Sequence, residues 1–184
     1  DLIRCPLDAA EKTQGKLHAA LPLPRQLYGD SRTNSQGWDL SNENVLHLLE
    51  NEMNAAAQKN YDAASLSAAS VQHQEKTAVK NPADHHDIVG NVSFINAGSI
   101  AEVVAAAKAA EAGWAASSAA ERAEMLRRFA DLLEAHTPAL MMLAVREAGK
   151  TLNNAIAEVR EAVDFCRYYA HEAETTCAGR APQG

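Results

Sequence analysis

Glu158 is the residue whose type and setting most directly suggest a binding role. It falls at helical spacing with Ala162, Phe165 and Tyr169, so one helix face combines a carboxylate with small and aromatic side chains. A carboxylate removed from water is destabilised unless another group donates hydrogen bonds or positive charge to it. Glu158 therefore requires a partner, which is either a side chain of the protein, such as an arginine, or a bound ligand.

A cysteine nucleophile is the second chemistry to consider, because the sequence contains Cys5, Cys166 and Cys177. Cys166 falls on the main apolar stripe of the last predicted helix, which favours core packing. Cys177 has only His171 near it in sequence, and Cys5 lies in an irregular segment. An odd number of cysteines without a CxxC pair argues against a disulfide scaffold and favours a reducing compartment. We assign no catalytic residue in this chain.

The run Asp84-His85-His86-Asp87 contains four residues that can bind metal ions. Consecutive residues rarely converge on one ion without strain, and the segment has the composition of a turn. We therefore expect a solvated turn here and no metal site.

Glu147 and Lys150 are three residues apart across a predicted helix end. Opposite charges at this spacing form local ion pairs on helices. Gly149, between them, suits a helix stop. We therefore predict a structural role for both charged residues.

The composition excludes several classes of protein. The 184 residues include 17 lysines and arginines against 24 aspartates and glutamates, for a net charge of −7. A nucleic-acid-binding module would instead carry a basic stripe. No apolar run approaches the ~20 residues that cross a bilayer, and no signal peptide opens the sequence. Neither Asp1 nor Gly184 has the character of a natural terminus, so we expect a piece of a longer protein.

The first part of the chain is predicted to be a connector with one or two helices. Leu21-Pro22-Leu23-Pro24 cannot continue a helix, because proline lacks an N–H and favours extended geometry in the residue before it. A helix is predicted to begin at Ser41, as its cap, and to end near Lys59. Residues 62–77 carry little pattern, so a weak helix and a surface tether both stay open.

Two strands and then a helical region are predicted to follow. Ala78-Val79 and residues 88–92 flank the turn Asn81-Pro82-Ala83-Asp84, a connection longer than a tight hairpin. From Ser99 onward the sequence is helical, with capping boxes at Ser99 and Ser118. The predicted core stripes consist of Leu126, Phe129 and Leu133 in the middle helix and Ile156, Val159, Val163 and Cys166 in the last, which runs from about Thr151 to Ala173.

Several stretches of the chain resemble the proline utilization A family. They are Leu21 to Gly29, Asn34 to Glu43, Val79 to Asp84 with Asp87 to Gly90, Arg146 to Thr151, and Asn154 to Phe165. The Glu-Ala-Gly-Lys element alone is common to aldehyde dehydrogenases, but its joining to the Pro-Leu-Pro-Arg connector makes the match specific. The resemblance covers nearly the whole chain except residues 62–77.

The resemblance implies an α/β protein of aldehyde dehydrogenase type. This chain would be its N-terminal part, mostly α-helical with a short β-strand pair. Residues 1–75 would form the connector after a proline dehydrogenase barrel, and residues 76–184 the start of the pyrroline-5-carboxylate dehydrogenase domain. The barrel would use FAD to oxidise proline, and the second domain would use NAD and a cysteine nucleophile to oxidise glutamate semialdehyde to glutamate. Since the nucleophile and the NAD-binding turn would follow Gly184, we expect the chain alone to be inactive and to bind neither cofactor.

The resemblance also implies a role for Glu158. The matching position in this family lies near the aldehyde pocket, where a carboxylate accepts a hydrogen bond from the ammonium group of the substrate. A purely structural ion pair is the alternative, and it stays open. The implied partners are glutamate semialdehyde or pyrroline-5-carboxylate, the rest of the parent chain and further copies in a homo-oligomer, with no nucleic acid bound through this segment. The implied location is cytoplasmic, with peripheral membrane association as an option for the parent enzyme.

Two other interpretations remain at this stage. The first is a stand-alone pyrroline-5-carboxylate dehydrogenase without the barrel, against which the Pro-Leu-Pro-Arg connector argues. The second is a helical interaction protein without catalysis, favoured by the absence of an active-site cysteine motif. Sequence on either side of the chain distinguishes these interpretations.

Overall fold

Helices make up most of the structure, a computed structural model that describes residues 5–13 and 21–177. The helices are α1 (Pro6–Thr13), α2 (Glu43–Ala57), α3 (Ile100–Ala116), α4 (Ala119–Ala135), α5 (Thr137–Ala148) and α6 (Leu152–Cys177). The strands are β1 (Tyr61–Ala64), β2 (Thr77–Asn81) and β3 (Asp84–Ser93). Asp1, Gly184 and the side chain of Cys177 lie outside the described residues.

The hydrophobic core lies where α4, α5 and α6 meet α2. Its buried residues are Leu49, Ala130, Met141, Ala155, Ile156, Val159 and Val163. Three members of the predicted α6 stripe are in this cluster and the fourth, Cys166, packs against it, so that prediction is confirmed. Burial raises the pKa of the Cys166 thiol, which suits a packing role rather than a nucleophile.

The predicted stripe of α4 is wrong at Phe129, whose residue surface is 51% exposed. Ala123 and Ala130 are fully buried instead. α4 packs extensively along α6, and small side chains let two helix backbones approach closely. The stripe is right at Leu133, which packs against the core, but a search for large apolar residues misses the alanines that make the closest contact.

The connector does not run free over the surface before α2. Trp38 and Leu40 pack against the core, as does Met53 of α2. Leu49 of the same helix is 1% exposed. Residues on both sides of residue 76 therefore contribute to one hydrophobic core.

The sheet contains three strands in the order β1-β3-β2, one more than the predicted pair. β2 is antiparallel to β3, and β1 is parallel to it. β1 escapes sequence analysis because four residues, Tyr-Asp-Ala-Ala, are too few to show alternation. Gly90 makes the pairing possible: a Cβ atom there would lie 1.9 Å from the backbone oxygen of Tyr61.

The turn between β2 and β3 is tighter than predicted. Asn81 pairs with Asp84, so only Pro82 and Ala83 form the loop. The Asn81 side chain accepts a hydrogen bond from the Ala83 N–H at 2.9 Å, the Asx geometry that closes short turns. The polar run that was predicted to be a solvated turn thus begins strand β3.

Residues 65–76 form a loop that is hydrogen-bonded at both ends, and at its start the Ser65 N–H donates to the Ser93 carbonyl at 3.4 Å. The Gln74 N–H donates to the Phe94 carbonyl and the Asn96 N–H to the Gln72 carbonyl, each at 2.8 Å. Leu66, near the start of the loop, is 98% exposed. The predicted alternatives for this stretch, a weak helix or a surface tether, are thus replaced by β1 and a partly anchored loop.

The predicted helix caps are right at Ser118 and Gly149 and wrong at two other sites. Ser118 and Glu121 form the complete capping box, and Gly149 ends α5 in the left-handed conformation with φ 65°. Asn42, not Ser41, caps α2, because the Ser41 hydroxyl bonds Asp39. Ser99 makes no side-chain cap, since it ends a 3₁₀ turn and its hydroxyl accepts from the Gln72 N–H.

Candidate functional site

Glu158 lies in the second turn of α6, and its partner is Lys150. The Lys150 ammonium donates a hydrogen bond to Oε1 of Glu158 at 2.5 Å. The carboxylate side chain is 55% exposed. The expectation that Glu158 is removed from water is therefore wrong for the described residues, and its partner in the protein is a lysine rather than an arginine.

The face of α6 that carries Glu158 is open in the described part of the chain. Phe165 is 50% exposed and Tyr169 is 56% exposed, with their rings stacked at a centroid distance of 6.0 Å. Tyr168 meets Tyr169 edge-on at 5.2 Å. The carboxylate and the aromatic rings therefore share one solvent-accessible face, which offers charge at one end and apolar surface at the other.

The predicted pair between Glu147 and Lys150 is replaced by the pair between Lys150 and Glu158. Gly149 adopts the left-handed conformation, and the Lys150 N–H then donates to the Ala144 carbonyl at 3.3 Å. The Gly149 N–H also donates to the Val145 carbonyl at 3.1 Å, which is the bond of a left-handed (αL) helix end. The reversal leads the chain into α6, so the lysine side chain reaches the first two turns of α6 rather than back to Glu147.

A second polar cluster fastens the connector to α6. Ser35 is 1% exposed, and its N–H and hydroxyl each donate to the Asp164 carboxylate at 2.7 Å. Arg160 donates to the same hydroxyl at 3.2 Å. Its guanidinium also lies 3.6 Å from the position of a Cβ at Gly37, which is an ordinary van der Waals distance.

Glu134 of α4 is the centre of a third cluster. It accepts hydrogen bonds from the Gln36 N–H at 2.7 Å, from Arg167 at 3.0 Å and from Arg25 at 3.2 Å. Burial opposes ionisation of Glu134, but the hydrogen bonds from Arg167 and Gln36 outweigh it and lower the pKa of this carboxyl. Sequence analysis missed Glu134, Asp164 and Ser35, because their partners are distant in sequence: Ser35 and Asp164 are 129 positions apart, and Glu134 is 98 positions from Gln36 and 33 from Arg167.

The ion pairs around Glu134 reduce the capacity of the neighbouring cleft to bind an anion. This cleft, of about 560 Å³, lies between the connector and helices α4 and α6. Four arginines line it: Arg25, Arg32, Arg127 and Arg167. Each of them also faces a carboxylate, so the cleft is polar without surplus positive charge.

Asp87, the last residue of the run with metal-binding side chains, is held by Arg146. The Arg146 guanidinium grips both carboxylate oxygens, with the Nε contact at 2.9 Å, and Asn81 donates a third hydrogen bond at 3.0 Å. These bonds lower the pKa of Asp87 from 3.8 to about 2. The pair ties β3 to α5, and the residues described contain no group of three or more potential metal ligands.

The depressed pKa of Asp87 predicts how stability changes with pH. Because the folded pKa lies below the ordinary value, the ionised pair contributes stability above about pH 4, and the contribution is lost as pH falls toward 2. Asp87→Asn should therefore be less stable than wild type at pH 7 and should lose less stability on acidification. Urea unfolding of wild type and of Asp87→Asn, monitored by tryptophan fluorescence at several pH values from 7 to 3, gives the unfolding midpoints that test this prediction. Parallel curves at all pH values would contradict the prediction.

Comparisons with known proteins were consistent with the sequence motifs. The family described as "Aldehyde dehydrogenase family" matches residues 69–183. The "Bifunctional protein PutA" of Klebsiella aerogenes is 42% identical over 92% of this chain, and its Rhizobium meliloti counterpart is 40% identical over all of it. This chain spans 13% and 15% of those two proteins. The "1-pyrroline-5-carboxylate dehydrogenase 2" of Bacillus subtilis is 36% identical over only 55% of the chain. The resemblance to proline utilization A is therefore confirmed.

Solved structures give the same result for the fold. A bifunctional proline utilization A protein superposes with a TM-score of 0.65 and 30% identity, covering 95% of this chain and 14% of that one. A Thermus thermophilus 1-pyrroline-5-carboxylate dehydrogenase superposes with a TM-score of 0.68 over 91% of this chain; at 22% identity it supports the fold alone. The predicted fold class is confirmed, with a mixed three-stranded sheet in place of the strand pair. The family match covers well over half of the sequence, and the chain belongs to the aldehyde dehydrogenase family.

Proposed function

We propose that this chain is a segment of a bifunctional enzyme that oxidises proline to glutamate. Residues 1–75 would be the connector after a flavin-dependent proline dehydrogenase barrel, and residues 76–184 the start of a glutamate-semialdehyde dehydrogenase domain. One observation carries the proposal. The sequence similarity to proteins named "Bifunctional protein PutA" spans both the connector and the helices, whereas the sequence similarity to a single-function dehydrogenase covers 55% of the chain.

The proposed reaction requires two cofactors, NAD and FAD. NAD would accept hydride from the aldehyde carbon, and FAD would accept electrons from proline. A dinucleotide site needs a glycine-rich turn between a strand and a helix. Here β3 leads to α3 through a 3₁₀ turn, Ala97–Ser99, closed by the Asn96 side chain, and this turn does not fit the pattern. We therefore propose that both cofactors bind to other parts of the longer polypeptide.

Glu158 is the substrate contact that we propose within this chain. Its carboxylate is on an exposed helix face, and the one hydrogen bond it receives from the described residues goes to Oε1. Oε2 is thus available to accept a hydrogen bond from the α-ammonium group of glutamate semialdehyde. A charge-assisted bond of this kind contributes more to binding than one between neutral groups.

The proposed partners and location follow from the same function. The small-molecule substrate and the rest of the polypeptide are the immediate partners, and we propose that the enzyme self-associates and works in the cytoplasm. No helix in the described ranges is both long enough and apolar enough to span a bilayer.

The test uses the full-length enzyme and follows NAD reduction with glutamate semialdehyde. Wild type should turn over this substrate. Glu158→Gln and Glu158→Ala should lower kcat/KM by roughly 10- to 100-fold, because a hydrogen bond to a charged group contributes about 1.5–3 kcal/mol. The melting temperature should change little, since exposed ion pairs contribute at most about 1 kcal/mol. Glu161→Gln, an exposed charge change on the same helix, is the control and should match wild type.

Two results count against this proposal. Absence of NAD reduction by wild type would reject the dehydrogenase function itself. Unchanged kinetics in Glu158→Ala with a large drop in melting temperature would reject only the substrate contact and would leave the residue with a structural role.

A further inference from the structure

Lys150 contacts Glu158 across the corner between α5 and α6. The two residues are eight positions apart, so the pair is not the usual contact between neighbouring turns of one helix. The backbone of Lys150 is held by its N–H bond to the Ala144 carbonyl, directly after the left-handed Gly149. Its side chain is 33% exposed, whereas that of Glu158 is 55% exposed. The more buried lysine thus reaches from a fixed corner to a more exposed carboxylate.

We propose that Lys150 is a positioning residue that holds the Glu158 carboxylate in the orientation that binds the ammonium group of the substrate. This proposal rests on the proposed function. It gives Lys150 a functional role in place of the local ion pair with Glu147 that the sequence predicted. Lys150 would not contact the substrate. It would act through Glu158 alone.

The physical case rests on side-chain freedom. A glutamate on an exposed helix face samples several rotamers, and ordering such a side chain costs free energy when a ligand binds. A lysine that already engages Oε1 removes part of that cost and leaves Oε2 with a defined direction. The charge of the carboxylate is shared between two cations when the substrate is bound, an arrangement that charge-assisted hydrogen bonds support.

The experiment compares two substrates in the full-length enzyme. Glutamate semialdehyde carries the α-ammonium group, and 5-oxopentanoate has the same length and carboxylate but lacks it. Lys150→Met should lower kcat/KM for glutamate semialdehyde about fivefold, mainly through KM, which is the size expected for losing one modest hydrogen bond. The kcat/KM of Lys150→Met for 5-oxopentanoate should stay within about twofold of the wild-type value. Lys150→Arg, which keeps the charge, should recover most of the loss, and Lys108→Met on α3 controls for removal of an exposed lysine.

A double variant separates positioning from a structural role. If Lys150 acts through Glu158, then Lys150→Met should have little further effect in a Glu158→Gln background, because coupled residues are not additive. A selective loss in Glu158→Gln without one in Lys150→Met would overturn the role of Lys150 and keep that of Glu158. Equal losses for both substrates, or a gain in kcat/KM for Lys150→Met, would also overturn it. Wild-type kinetics in Glu158→Gln would overturn both assignments together.

Discussion

Gly90→Ala should detach β1 from the sheet. The added methyl carbon would lie 1.9 Å from the Tyr61 carbonyl oxygen, and the obstructing atom belongs to the backbone, which cannot rotate away. Overpacking of this kind costs roughly 1–3 kcal/mol and occasionally more. Hydrogen exchange of the β1 amides in the full-length enzyme measures the result, and a loss of 2 kcal/mol corresponds to a roughly thirtyfold change in local opening.

Gly113→Ala provides a matched control for this substitution. Gly113 lies within α3, and a Cβ there meets no atom within 4 Å. Alanine is the better helix former by up to about 1 kcal/mol, so this variant should be neutral or slightly stabilising. Unchanged exchange in β1 of Gly90→Ala would show that the two strands separate far enough to accept the methyl group, and would contradict the close pairing described above.

Glu134→Leu should loosen the connector and the α4–α6 contact together. Its side chain is 18% exposed, while that of its main partner, Arg167, is only 8% exposed. Removing Glu134 leaves the Arg167 guanidinium with Asp131, at 2.8 Å, as its remaining carboxylate partner, and the loss of the bonds to Glu134 should cost roughly 1–3 kcal/mol. The amides of residues 34–36 and of α6 near Arg167 should exchange faster in the full-length enzyme.

Glu134→Gln and Glu124→Gln make the comparison quantitative. The first keeps an acceptor for Gln36 but removes the charge, so its effect should be intermediate. The second removes an exposed carboxylate on the same helix, which lies 3.9 Å from Arg127, and it should change stability by less than about 0.5 kcal/mol. If Glu134→Leu exchanged no faster than Glu124→Gln, the cluster would contribute nothing beyond an exposed ion pair.

Local sequence signals predicted the local features of the fold. The capping box at Ser118, the glycine stop at Gly149 and the stripe containing Val163 each depend on residues within a few turns of one helix, and each is confirmed. β2 and β3 were also expected, although the turn between them is shorter. The side-chain caps expected at Ser41 and Ser99 do not form because other groups bond those hydroxyls, although α3 does begin directly after Ser99.

Contacts between distant segments could not be predicted in this way. The pairing of β1 depends on Gly90, and the role of Glu134 depends on a backbone N–H 98 residues away. Helical spacing placed Glu158 on the same face of α6 as Phe165 and Tyr169. Its pairing with Lys150 could not be predicted, because it depends on how the chain turns at Gly149 between α5 and α6. The assignment of Glu158 to the substrate remains a prediction.

The packing of α2 against α5 determines what happens when the backbone is cleaved between them. The exposed start of the loop near Leu66 is a natural point for proteolytic cleavage. On its N-terminal side are Trp38, Leu49 and β1, and on the other side are the strand and helices against which they pack. A nick there would cut the covalent chain without separating its halves, since they share one core. The same position would therefore suit a split reporter, which needs two fragments that reassemble without a peptide bond.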